Sequence, residues 1–135
     1  MNTADNVQIL NFVQHNRGVT HLLAIGGDEL GCGCLKRIFF LTSLEADSRG
    51  AHAHKLCTQW FTILSGKSSL SVSDGISTLN FELTIPGKVI MVPPELWVNV
   101  SILESSIIAV FADQNYDEND YIRNWEEFVA YRERS

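Results

Sequence analysis

The chain has 135 residues, of which 45% are hydrophobic and 19% charged, the proportions of one folded domain spanning 1–135. Ten Lys and Arg against sixteen Asp and Glu leave a net charge of −6, and no basic run offsets it, which argues against a nucleic-acid partner. No stretch approaches the roughly 18 uninterrupted apolar residues of a membrane-crossing helix, and the start MNTADNVQIL lacks the basic and apolar regions of an export signal. No membrane association is expected, and the location implied is cytoplasmic. Three cysteines, Cys32, Cys34 and Cys57, are poor material for a disulfide framework, so reduced thiols are expected. One residue between Cys32 and Cys34, rather than two, also departs from zinc-knuckle spacing.

From the N-terminus onward, short apolar or alternating runs are divided by turn residues, the pattern of an all-β chain. The predicted strands are Val7–Val13, Thr20–Ile25, Lys36–Thr42, Ala51–His54, Thr58–Leu64, Ser68–Ser73, Ser77–Leu83, Val89–Val92, Leu96–Ser101 and Ser106–Ala112. Their spacing leaves no room for intervening helices and implies an antiparallel sandwich or barrel. Asp74-Gly75 is expected to supply two positive-φ positions of a hairpin pairing Ser68–Ser73 with Ser77–Leu83. Pro86-Gly87 and Pro93-Pro94 bracket Val89–Val92, since proline cannot donate to a ladder. After the polar stretch Gln114–Asp120, the residues Tyr121, Trp125, Phe128 and Val129 recur at helical spacing. One C-terminal helix is expected, capped by Asn119 or Asp120 and packed through its aromatic face.

Two of the four histidines, His15 and His21, stand alone and read as surface residues. His52 and His54 lie two apart in Arg49-Gly50-Ala51-His52-Ala53-His54-Lys55, a spacing that sends both imidazoles to one face of a strand. Such a pair serves metal ligation or acid–base chemistry, because imidazole is the commonest metal ligand and titrates nearest neutrality; a satisfied core pair is the third alternative.

These residues resemble the first motif of the cupin superfamily, with Gly50, the His52/His54 pair, Gln59 where a glutamate ligand is usual, and Gly66. The second motif can be laid on Gly87, Pro93, Glu95 and Val98, which puts valine where the last metal-binding histidine would stand. The resemblance implies a cupin-type antiparallel jelly-roll barrel with one C-terminal helix. An amide and an aliphatic side chain leave two good donors, fewer than a first-row metal usually takes, so a metal-free barrel with no cofactor is expected.

A narrower resemblance rests on Arg49–Lys55, on Tyr116-Asp117-Glu118-Asn119-Asp120-Tyr121-Ile122-Arg123, and on Arg17-Gly18, Lys36-Arg37 and Trp97. Together these look like the sugar nucleotide 3,4-ketoisomerases of the WxcM-like, FdtA/QdtA type. Membership implies conversion of a dTDP-4-keto-6-deoxyhexose to the 3-keto sugar through an enediol, toward an unusual sugar for a bacterial surface glycan such as O-antigen, or for an antibiotic. His52 and His54 are then the proton-transfer residues. Arg49, Arg37, Arg17, Gln59 and Trp97 are the candidate substrate-binding residues, guanidinium being suited to diphosphate or enolate oxygens. The resemblance also implies a homodimer with exchanged N-terminal strands, Val7–Val13 and Thr20–Ile25.

The chain departs from the family at three places. Val98 follows the tryptophan where histidine or arginine is usual, Phe39-Phe40 replaces tyrosines, and Thr20–Ile25 lacks the customary glutamate. Each change removes a polar group, which fits altered product stereochemistry, a different nucleotide sugar, or loss of catalysis; the last would make the chain a non-catalytic nucleotide-sugar-binding homologue, the alternative to an active enzyme.

Overall fold

The computed structural model describes residues 1–84 and 87–134. Pro86, half of the expected Pro-Gly turn, lies outside them.

Twelve strands occur among the described residues: β1 (Gln8–Asn11), β2 (Val13–Arg17), β3 (Thr20–Ala24), β4 (Arg37–Thr42), β5 (Asp47–His54), β6 (Gln59–Ser65), β7 (Ser68–Ser73), β8 (Thr78–Leu83), β9 (Lys88–Val92), β10 (Trp97–Ile102), β11 (Ile107–Ala112) and β12 (Tyr121–Ile122). A four-residue helix, α1 (Gly27–Leu30), follows β3, and α2 (Trp125–Glu133) closes the chain. One sheet has the order β1-β9-β6-β11-β4 and the other β12-β5-β10-β7-β8, with antiparallel pairing in both. The two sheets form a jelly-roll sandwich that keeps open edges at β1, β4, β12 and β8, so the expected barrel is not closed by a continuous ladder.

Alternation along the strands fills the space between the sheets. Leu70 and Val72 of β7, Ile90 of β9, Val98, Val100 and Ile102 of β10, and Ile108 and Val110 of β11 are all nearly inaccessible and form one cluster. Burying such side chains contributes roughly 1.5–3 kcal/mol each relative to exposure, which makes this layer the chief source of stability. A second cluster, Ala53, Trp97, Ile122 and Phe128, lies on the outer side of the β5–β10 sheet beneath α2. The aromatic face of α2 therefore packs onto the sheet, as its spacing predicts.

Three local expectations need correction. The β7–β8 turn has positive φ at Gly75 alone of the two residues, while Asp74 precedes the bend and its carboxylate accepts from the Ile76 and Ser77 N–H groups. The helix starts later than expected because Tyr121 is drawn into β12; its cap is Asn124, which accepts from the Glu127 N–H, rather than Asn119 or Asp120. The run Val7–Val13 stops at Asn11, and Val13 opens β2, which pairs with β3 in a hairpin bonded to neither large sheet. All ten residues of that hairpin's strands are exposed.

Candidate active site

The His-x-His segment reaches the sandwich interior through a β-bulge. Between β5 and β10 the register runs Val100↔Arg49 and then Val98↔His52, so Gly50 and Ala51 together oppose Asn99. Gly50 has φ +104° and Ala51 φ +31°, conformations that are left-handed or nearly so, and the Asn99 side-chain oxygen accepts the Ala51 N–H at 3.1 Å. Bulges of this kind re-aim side chains next to functional sites. Here the bulge turns His52 inward directly after a strained residue.

The two imidazoles face each other. His52 Nε2 and His54 Nε2 are 3.2 Å apart, with the rings nearly perpendicular at 87°. The Nδ1 atom of His52 donates to the Gly50 carbonyl, which as a carbonyl can only accept. The Nδ1 atom of His54 lies 2.8 Å from Asp120 Oδ2. Asp120 Oδ1 accepts from the Leu56 N–H at 2.7 Å and the Lys55 N–H at 3.1 Å, so both oxygens of this buried carboxylate are engaged. Tyr121, one residue on, lies against both imidazoles with centroids 5.0 and 4.4 Å away.

Burial is the main cause of a depressed proton affinity at both histidines. Together with the neighbouring His54 it lowers His52 to about 4, against a smaller upward pull from the bond to the Gly50 carbonyl. His54 is also lowered by burial, while its bond to Asp120 and that group's charge pull the other way.

A cavity of about 300 Å³ opens beside the pair. Its polar wall is Arg37, Arg49, His52, Gln59, Tyr121 and Arg123, and its apolar wall includes Phe39, Phe61 and Val98. The inward alternation of β4 presents Arg37, Phe39 and Leu41, while Phe40 points outward to solvent. Among the described residues no carboxylate lines this cavity. Glu118 lies outside it and is held to about 2 by the Arg123 guanidinium, which donates to its two oxygens at 2.6 and 3.0 Å. The same guanidinium sits 4.1 Å over the Tyr121 ring. Three guanidinium groups beside His52, Gln59 and Tyr121, facing an apolar wall, make a receptor for an anionic ligand with an apolar side.

The candidate residues divide accordingly. His52, Arg37, Arg49 and Gln59 share the cavity, and His54 stands behind His52, only 6% exposed. Trp97 is elsewhere: it alternates to the opposite face of β10 and packs edge-on against Trp125 at 5.4 Å, because neighbouring strand residues point to opposite sides. Arg17 ends β2 in the exposed hairpin and is not part of this chain's cavity. His15 and His21 lie on the same hairpin. Asp120 and Tyr121 were expected to serve the C-terminal helix, and neither they nor Arg123 were expected at the site, although all three stand in the segment that carries the family resemblance.

His54, Cys57 and Asp120 bring potential metal-ligand atoms within 4.8 Å of one another. Asp120 is already bonded on both oxygens, and burial raises the Cys57 thiol to about 12, well above ordinary thiolate chemistry.

Fold, His pair and cationic cavity together define a jelly-roll site for acid–base work on an anionic ligand. The family model described as WxcM-like, C-terminal, under the heading FdtA, matches residues 5–133, and the chain belongs to that family. A TDP-4-oxo-6-deoxy-alpha-D-glucose-3,4-oxoisomerase from Aneurinibacillus thermoaerophilus is 30% identical over 99 residues, 72% of this chain and 71% of that one. Among solved structures, the sugar 3,4-ketoisomerase QdtA of Thermoanaerobacterium thermosaccharolyticum in complex with TDP superposes with a TM-score of 0.89 at 25% identity, covering 97% of each chain. A histidine-to-asparagine mutant of QdtA in complex with TDP-4-keto-6-deoxyglucose gives a TM-score of 0.88 at 26% identity, covering 96% of this chain and 95% of that one.

Proposed function

We propose that this protein is a metal-independent 3,4-ketoisomerase acting on a thymidine-diphosphate-linked 4-keto-6-deoxyhexose. The observation that carries the reading is the His52 Nε2 atom, bare of its own proton once Nδ1 donates to Gly50, at the wall of a cavity ringed by Arg37, Arg49 and Arg123. The 3,4-ketoisomerase activity of the relatives and the TDP ligands bound to QdtA support the same substrate class.

In this reading an imidazole Nε2 takes the proton from sugar C3. The C3–H electron pair becomes the C3–C4 double bond of an enediolate, and negative charge moves onto the former C4 carbonyl oxygen, where a guanidinium offsets it. That oxygen then takes up a proton, the C3 hydroxyl loses its own, and a proton delivered to C4 completes the 3-keto sugar. No net oxidant enters, because C4 is reduced as C3 is oxidised. Arg37 and Arg49 bind the diphosphate or the enediolate oxygens, and Gln59 supplies a neutral hydrogen-bonding contact.

A non-catalytic nucleotide-sugar-binding homologue is the second reading, favoured by Phe39 and Val98, which present hydrocarbon where the pocket would otherwise carry polar groups. Incubation with TDP-4-keto-6-deoxyglucose, followed by NMR identification of the sugar, separates them. The 3-keto product establishes the enzyme, and tight binding of unchanged sugar establishes the binding module.

The reading extends to assembly. The exposed β2–β3 hairpin, with Leu22 57% and Val13 52% accessible, and the open β4 edge are complementary liabilities that a second copy relieves. A homodimer with exchanged N-terminal strands would carry Arg17 of one copy toward the other, and light scattering at micromolar concentration tests it. The same reading places the reaction in the cytoplasm, on the way to a deoxysugar for a surface glycan or an antibiotic.

A further inference from the structure

The proton count around the two histidines leads beyond the pair itself. The His52 Nδ1 proton is committed to the Gly50 carbonyl, and the His54 Nδ1 position faces a carboxylate oxygen. A neutral imidazole has one N–H, so each ring then presents a lone pair at Nε2. Those two lone pairs converge on one point with only 3.2 Å between the nitrogens. Two facing lone pairs at that separation repel, and a single added proton turns the contact into an N–H···N hydrogen bond.

We propose that Asp120 is a positioning residue that fixes His54 as its Nδ1–H tautomer and balances the charge of one proton shared between the two Nε2 atoms. This rests on the ketoisomerase reading for its catalytic consequence, though the tautomer itself does not depend on that reading. Asp120 is built for the task. The β12–β5 ladder sets Tyr121 opposite His54, which brings Asp120 against the end of β5. There the Leu56 and Lys55 N–H groups clamp Oδ1 and leave Oδ2 aimed at the ring. Asp120 itself lies outside the cavity lining and acts through His54.

The consequence is an accounting of charge during the reaction. When the C3–H bond breaks, its proton forms the new N–H bond and the electron pair stays with the sugar as the enediolate. Asp120 and the two rings together then change from a net charge of −1 to zero. Without the carboxylate, the same step would create an uncompensated imidazolium in a buried site, which is costly. The other charged or titratable groups around the rings are Arg37 on β4, Arg49 on β5, Cys57 after β5, Tyr121 on β12, and Glu118 with Arg123 on either side of Tyr121. Of these only Glu118 is an acidic carboxylate, and it is already paired with Arg123.

The test is Asp120→Asn, which keeps the oxygen needed by the Leu56 and Lys55 N–H groups and turns an amide N–H toward His54 Nδ1. His54 must then carry its proton on Nε2. The expected result is a fall in kcat of ~10²–10⁴-fold with KM changed little, and an acid limb of the rate profile moved to lower pH. A folded variant with wild-type kcat and pH profile, or one whose loss lies in KM alone, overturns the proposal. Nitrogen-15 NMR of the wild-type protein labelled at histidine reads the tautomer directly, whether or not the variant folds. Protonation of His54 at Nδ1 is expected, and His54 protonated only at Nε2 overturns the proposal. Failure of the wild type to turn over the keto sugar would refute the ketoisomerase reading and leave the NMR result standing alone.

Discussion

Val98 stands directly across the β10–β5 ladder from His52, the two being Cα partners on the same side of the sheet. Its isopropyl group thus forms part of the wall beside the imidazole, and a histidine there would add a third donor to the pair. Val98→His is expected to create a site retaining zinc or nickel through dialysis at one ion per chain, where the wild type retains none. Metal analysis after dialysis checks this, and a wild-type protein that holds one ion as tightly as the variant counts against a metal-independent site.

His52→Asn separates chemistry from recognition. The substitution removes one of the two candidate proton-transfer imidazoles and leaves Arg37, Arg49 and Arg123 in place. Turnover should fall by ~10²–10⁴-fold while TDP affinity by calorimetry stays within a few-fold. Loss of affinity with turnover preserved is the contrary outcome.

Burial of the pair makes stability depend on pH. Folded His52 binds a proton only near pH 4, whereas in the unfolded chain it does so near its ordinary value of 6.5. The unfolded state therefore holds more protons between those values, and stability rises with pH across that window. Acidification from pH 6.5 toward 4 should lower Tm progressively, and His54, shifted the same way, adds to the slope. In His52→Gln the slope should be shallower, which thermal melts of both proteins at a series of pH values will show.

Gly50 is the position where backbone and chemistry meet. An alanine Cβ there would lie 2.9 Å from the Val98 carbonyl oxygen, at φ +104°. Gly50→Ala is expected to cost about 1–3 kcal/mol of stability and to lower kcat by displacing His52, read from denaturant midpoints and initial rates. An unchanged kcat would show that the bulge does not aim the ring.

Much of the fold could be read from alternation. The ten predicted strands coincide with ten of the twelve observed, and β5 runs N-terminally beyond the predicted Ala51–His54 to Asp47 because polar Asp47, Ser48 and Arg49 gave no alternating signal of their own. β2 was hidden because Val13 is its one apolar residue, followed by Gln14, His15, Asn16 and Arg17, whereas β3, equally exposed, still shows Leu22, Leu23 and Ala24. Tyr121 suited a helix by spacing but went to the sheet edge, since pairing with His54 is a long-range contact that no local pattern records. The facing of His52 and His54 followed from period-2 geometry. Asp120 did not, because 66 residues separate it from the histidine it holds and only the folded ladder joins them. Trp97 went the other way: a family position suggested a substrate contact, and strand alternation turned it toward α2.

The central claim is that imidazoles beside this cavity remove and return carbon-bound protons of a TDP-keto sugar. It is tested most directly by incubating the protein with TDP-4-keto-6-deoxyglucose in deuterium oxide and following the sugar protons by NMR. The account predicts a 3-keto product with deuterium at C4, formed by the wild type and not by His52→Asn. Unchanged substrate with its C3 proton intact, in the presence of protein shown to bind TDP, would contradict it.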